Sequence, residues 1–275
     1  MKSTVTERAY AKLNLTLGVR SKRADGYHEL DMLMQTVDLY DTVTVEKASS
    51  VEVYATGRYI PYNNTLRKAA EYYRALTGRG ATIRIHKRIP SQAGLGGGSA
   101  DAGAVLRGLD RLYGEVDRST LYEIAQKVGA DVPFCLHGGL CRAEGIGEIL
   151  TPIKGMELHT VITKPDKGVS TKALFGALTL PRKMPDTLGA ISAVSKQDLN
   201  ALSGYIFNAL REPAEALVPE IGKHRQLLLS KGAVVAEMTG SGSAVFGLFE
   251  SKEAAEKAAE ELSYLPFCKA AESVG

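Results

Sequence analysis

The stretch Pro90-Ser91-Gln92-Ala93-Gly94-Leu95-Gly96-Gly97-Gly98-Ser99-Ala100 sets four glycines within five positions and follows them with a serine. Backbone without Cβ atoms is free to turn its N–H groups toward an anion. A helix starting at that point aims the positive end of its dipole at the same anion. The chemistry is phosphate binding. A Walker loop requires G-x-x-x-x-G-K-[ST], and no lysine follows any of these glycines. A dinucleotide fingerprint requires G-x-G-x-x-G, and the sixth position is Ser99 counted from Gly94 and Asp101 counted from Gly96. The loop is a phosphate cradle of a different kind.

Such a loop works only if rigid elements hold its ends. Before it, residues 81–89 alternate Ile83, Ile85 and Ile89 against Thr82, Arg84 and Arg88, the pattern of a half-buried strand. After it, Ala102, Val105, Leu109 and Leu112 recur at helical spacing up to Gly114, with Ser99 as the expected N-cap. Further strand patterns cover 4–19 and 41–54. Residues 9–17 set Leu13, Leu15 and Leu17 against Lys12, Asn14 and Thr16, an apolar core face backed by a polar face able to carry a site. Helical patterns cover 65–76, capped by Asn64 and stopped by Gly78, and a stretch opened by the capping box Thr120-x-x-Glu123 and closed at Gly129. Asp131 then falls in a loop at a helix end. From Met156 onward, Pro219 and Gly232 bracket a helix, 233–239 and 244–249 read as strands around Gly240-Ser241-Gly242-Ser243, and Ser251 opens a charged helix. Runs of sheet beside runs of helix favour an α+β fold.

The order P-x-x-x-G-L-G-G-G-S resembles the ATP loop of the GHMP kinases, which phosphorylate small metabolites. Ala11-Lys12-Leu13-Asn14-Leu15 and Asp25-Gly26-Tyr27-His28-Glu29-Leu30 narrow the resemblance to the branch of that family acting on a cytidine-diphosphate ester of methylerythritol. Gly129-Ala130-Asp131-Val132-Pro133, Ala143-Glu144-Gly145-Ile146-Gly147-Glu148 and Thr239-Gly240-Ser241-Gly242-Ser243-Ala244 are similar to later family segments in the same order. Gly103 stands in the first turns of the helix after the loop, where it costs up to ~1 kcal/mol relative to alanine.

The resemblance implies a two-domain architecture, 1–155 ribosomal-protein-S5-like and 156–275 ferredoxin-like, using ATP and Mg2+. It implies transfer to the C2 hydroxyl of the cytidyl substrate. Such a transfer needs a held triphosphate, neutralised charge and an aligned hydroxyl with a destination for its proton. The loop from Pro90 to Ala100 supplies the first, with Ser99 as an extra phosphate donor or indirect magnesium contact. Asp131 is the implied proton acceptor and Lys12 its cationic partner, while Asn14 and Thr171 are implied substrate contacts. A cytosine needs stacking faces and a hydrogen-bonding edge, for which Tyr27, His28 and Phe175 are the candidates. Another GHMP kinase, or a nucleotide-binding regulator without catalysis, stays open at this level. For the adenine, Tyr54, Tyr59 and Tyr62 offer rings, but no spacing singles one out.

Bulk properties are compatible with this and select nothing finer. The 275 residues carry a net charge of +3, too slight for nucleic acid. No apolar run approaches the ~20 residues of a membrane span, and no signal-peptide core opens the chain. Three cysteines without a C-x-x-C pair suit a reducing cytoplasm, and five histidines without H-x-x-x-H spacing give no zinc pattern. A monomer or weak homodimer is expected.

Overall fold

The computed structural model describes residues 3–56, 60–176, 178–180 and 183–275; Tyr59 lies outside them. In chain order its elements are β1 (Thr4–Lys22), β2 (His28–Ala48), β3 (Val51–Thr56), α1 (Thr65–Thr77), β4 (Gly80–His86), α2 (Gly97–Tyr113), α3 (Arg118–Val128), α4 (Val132–His137), β5 (Leu140–Gly145), β6 (Ile149–Ile153) and β7 (His159–Lys164). There follow α5 (Thr171–Gly176), α6 (Thr187–Ser195), α7 (Leu199–Ser203), β8 (Phe207–Asn208), α8 (Arg211–Leu217), α9 (Glu220–Ser230), β9 (Val235–Met238), β10 (Val245–Phe249), α10 (Lys252–Glu261) and β11 (Phe267–Val274). They form two compact units, and the chain passes between them several times.

The first unit gathers Met1–Ala11, Leu39–Ile89 and Gly96–Gly138. Here β4 pairs in parallel with β3 and antiparallel with the end of β2, from Thr42↔His86 to Ala48↔Gly80. Val43, Val45, Ile83 and Ile85 are fully buried between these strands and the helices, and each such burial contributes about 1.5–3 kcal/mol. Helix α1 runs as the spacing requires: the Asn64 side chain accepts from the Arg67 N–H, and Gly78 ends it in the left-handed conformation. Helix α2 packs against α4 with almost no gap. A Cβ on Gly103 would stand 2.8 Å from the Cys135 carbonyl carbon. The helix-propensity cost of Gly103 is therefore the condition for a close backbone approach, not a defect.

The second unit gathers Lys12–Asp38, Pro90–Leu95 and Gly139–Gly275. Its run β7–α9–β9–β10–α10–β11 makes an antiparallel sheet in the order β11-β7-β10-β9, the split βαβ order of a ferredoxin-like domain. The turn holding Gly240 to Ser243 is the β9–β10 hairpin, registered at Val245↔Met238. Elsewhere in this unit β2 pairs with β5, β5 with β6, and β8 in parallel with β1.

The α+β class and the ferredoxin-like order agree with the sequence, and three local readings are corrected. Residues 41–54 are two strands, because Ser49 and Ser50 form a bend that returns β3 alongside β4. The polar face of β1 is itself buried, as a face carrying a site can be: Lys12 is 4% exposed, Asn14 1% and Thr16 0%. Ser99 lies inside α2, whose N-cap is Gly96 in the left-handed conformation with no side-chain cap. Helix α3 starts two residues before Thr120, and its cap is Asp117, whose carboxylate accepts from the Thr120 N–H at 2.7 Å. The Thr120 amide, and after it the Ser119 hydroxyl, hold the Asp117 carboxyl below its ordinary range. Asp117→Ala should therefore lower the denaturation midpoint measurably at pH 7, an effect that vanishes as pH falls through the depressed carboxyl pKa, whereas removing Glu123 as the supposed capping-box partner should leave it unchanged.

Candidate functional site

The polar residues of β1 meet the first half of the glycine loop within the second unit. The Lys12 ammonium donates to Asn14 Oδ1 at 2.5 Å, and the Lys12 backbone N–H donates to the Leu95 carbonyl at 3.1 Å. The Asn14 backbone N–H donates to Thr239 Oγ1 at 2.9 Å. The Gln92 and Ala93 carbonyls accept from the backbone N–H groups of Ser243 and Ala244 at 3.4 and 3.1 Å. Gly94 (φ +73°) and Gly240 (φ +55°) face each other so closely that a Cβ on Gly240 would lie 2.6 Å from the Gly94 carbonyl oxygen and 3.0 Å from Lys12 Nζ. These two positions demand glycine for space and for backbone sign together. The C-terminal glycine motif thus seats the loop and the lysine; it is more than a hairpin.

Two of the three ring candidates meet in this unit. His28 and Phe175 stack with centroids 4.9 Å apart and planes tilted by 34°. Burial pushes the His28 pKa below its ordinary value and the Lys22 charge adds to the shift. At neutral pH the imidazole then offers one donor and one acceptor nitrogen. Tyr27 sits in the tight turn between β1 and β2, its N–H on Asp25 Oδ1 at 3.0 Å, with 58% of its surface exposed. Thr171 and Ser241 share a hydroxyl hydrogen bond at 2.7 Å.

The first unit holds the second half of the loop and Asp131. Gly96 accepts from the Ala100 N–H at 2.8 Å as α2 begins, and the Gly98 carbonyl accepts from Thr65 Oγ1 at 2.6 Å. A 17-residue helix therefore opens at the end of the glycine run. Asp131 occupies the N-cap position of α4, yet its side chain makes no cap hydrogen bond.

One cluster next to the loop was missed from the sequence. Lys87 Nζ lies 2.5 Å from Asp41 Oδ2 and 2.6 Å from Asp101 Oδ2. Asp41 Oδ1 also accepts from the backbone N–H groups of Arg88 and Ile89. Lys87 is the cation on Asp101, whose Oδ1 is buried with no hydrogen-bond partner found among the described residues. Burial, opposed by Lys87 and reinforced by Asp41, pushes the Asp101 carboxyl up to about 8. The signal was present: Asp101 stands on the helical face of Val105, Leu109 and Leu112, where a carboxylate needs a buried cation.

Comparison with known proteins follows the same two regions. Residues 64–139 match the GHMP kinases N terminal domain and residues 190–265 the GHMP kinases C terminal domain. The chain belongs to the GHMP kinases, a family of small-molecule phosphotransferases. A Caldicellulosiruptor saccharolyticus protein named 4-diphosphocytidyl-2-C-methyl-D-erythritol kinase is 42% identical, covering 93% of this chain and 91% of its own. The Alkaliphilus metalliredigens protein of the same name is also 42% identical over the same shares. A crystal structure of 4-(cytidine 5'-diphospho)-2C-methyl-D-erythritol kinase matches with TM-score 0.86 and 36% identity, covering 98% of this chain and 100% of that one. Within the family, this chain belongs with those kinases. Homoserine kinase from Cytophaga hutchinsonii, 20% identical with TM-score 0.77 over 100% of this chain and 95% of that one, shares the fold. Among the described residues no helix is long and apolar enough to cross a membrane.

The Asp101 shift carries a pH signature. A carboxyl raised to about 8 in the folded state stabilises the protein fully below its ordinary pKa, and that contribution is lost as pH rises toward 8. Asp101→Asn keeps the neutral shape, so its denaturation midpoint should decline less than the wild type's between about pH 5 and about pH 8.5.

Proposed function

We propose that this chain transfers the γ-phosphoryl group of ATP to the C2 hydroxyl of 4-diphosphocytidyl-2-C-methyl-D-erythritol, giving the 2-phosphate and ADP in the non-mevalonate route to isoprenoids. The observation that carries the cytidyl assignment is the His28–Phe175 ring pair, with a neutral imidazole beside an aromatic face. The names of the relatives point the same way.

In this reading the Pro90–Ala100 loop and the start of α2 bind the triphosphate through backbone N–H groups, with Ser99 as a further donor. Lys12, held by Asn14, neutralises charge on the transferring group. Asp131 orients the C2 hydroxyl early and takes its proton as the oxygen–phosphorus bond forms. Asn14 and Thr171 contact the substrate, His28 reads the cytosine edge, and Tyr27 and Phe175 offer stacking faces worth about 1–3 kcal/mol each. Among the described residues no three His, Cys, Asp or Glu side chains gather to hold a metal. When bound, Mg2+ would neutralise phosphate charge, with Ser99 as an indirect contact. We assign the enzyme to the cytoplasm as a monomer or weak homodimer, with domains at 1–155 and 156–275.

The direct test follows ADP release with ATP, magnesium and the cytidyl substrate, with mevalonate and homoserine as rival acceptors. Turnover is expected with the cytidyl substrate alone, and activity only with a rival would overturn the assignment. Asp131→Asn should lower kcat by about 10²–10⁴-fold, and retention of more than about a tenth would remove Asp131 from the proton step. His28→Ala should raise KM for the cytidyl substrate with KM for ATP near normal. In the wild type the same KM should rise only when pH drops below the ordinary histidine range, since the neutral ring is favoured in the fold.

A further inference from the structure

Among the described residues Asn208 is the most completely bonded buried side-chain amide of the second unit, and no part of the function described above uses it. It ends β8, which pairs in parallel with the lysine strand at Thr16↔Phe207 and Leu17↔Asn208. The Ala209 N–H continues that pairing to the Leu17 carbonyl at 2.9 Å. The Asn208 side chain is 2% exposed. Its Nδ2 donates to the Met238 carbonyl at 2.8 Å and to the Gly240 carbonyl at 2.9 Å, while Oδ1 accepts from the Leu210 N–H at 2.9 Å. Two carbonyls on one end and an N–H on the other leave only one orientation for the amide.

The bonded carbonyls flank Thr239, which accepts from the Asn14 N–H. Gly240 is the residue whose missing Cβ makes room for Lys12 Nζ and the Gly94 carbonyl. We propose that Asn208 is a positioning residue for phosphoryl transfer: by clamping the Met238 and Gly240 carbonyls it sets the turn on which Lys12 and the first half of the ATP loop are seated. An apolar side chain of equal volume would fill the space and leave two buried carbonyls free to rotate toward other donors. The inference rests on the function proposed above for Lys12 and the loop. It adds a residue that touches neither ATP nor acceptor.

The experiment compares wild type, Asn208→Leu and Asn208→Asp, with folded fraction taken from circular dichroism at each pH and rates expressed per folded molecule. Asn208→Leu should lower kcat at least tenfold and raise KM for ATP several-fold. A purely structural role would lower the melting temperature and leave both values, per folded molecule, at those of the wild type; that result overturns the proposal. Asn208→Asp keeps Oδ1 for Leu210 but sets a carboxylate against two carbonyls. Once protonated it regains one donor, so its rate relative to wild type should climb as pH falls from about 8 to about 5.5, a rise Asn208→Leu should not share. A flat ratio for both variants also counts against the clamp. If Asn208→Leu does not fold, the Asn208→Asp profile decides. Absence of wild-type turnover with the cytidyl substrate would overturn the functional reading instead. ATP affinity of Asn208→Asp against wild type by calorimetry would then decide the clamp, equal affinities rejecting it.

Discussion

A lysine with 4% exposure, on a strand buried on both faces, is the constraint around which the second unit is arranged. An unpartnered buried charge costs several kcal/mol, so oxygen atoms and backbone must be brought to it. Asn14 supplies one oxygen from the same strand face, and the Thr239–Gly240 turn closes over the rest. That closure is possible only where the approaching residue has no Cβ. The glycines of the C-terminal motif therefore answer a demand made at the other end of the chain. The demand explains why a hairpin turn is bonded to the glycine loop and to β1 together.

The glycine loop is two devices joined by one peptide bond. Up to Leu95 it is a strap held by carbonyl-to-amide bonds to Ser243 and Ala244. From Gly96 it is the opening of α2, where Gly96 replaces a side-chain cap and leaves the first amides of the helix to a ligand. Beneath that opening, Lys87 serves two carboxylates, so one of them is driven toward its neutral form. Negative charge beside the glycine loop is thereby held down with one lysine.

Much of this was legible in the residues. Asn64 and Gly78 mark α1 because caps are local chemistry, and the motif order led to the same family as the comparisons. The opening of β2 was not legible: Met32, Leu33 and Met34 are buried in succession with Asp31 and Gln35, so no period of two survives. The Ser99 and Thr120 caps failed because a glycine in the left-handed conformation and an aspartate three residues upstream took those positions first. Tertiary bonding hid the rest. Nothing in Phe207-Asn208-Ala209 announces that the amide will clamp a turn thirty residues later. The pairing of His28 with Phe175 was legible only through family resemblance.

The burial of Lys12 has one more consequence, in the timing of disorder. A free lysine side chain carries about 2 kcal/mol of rotamer entropy. Seated between Asn14 and the Gly240 turn, Lys12 loses that freedom when the chain folds. The ordering is therefore complete once the chain has folded, and any ligand that reaches Lys12 meets a side chain already placed.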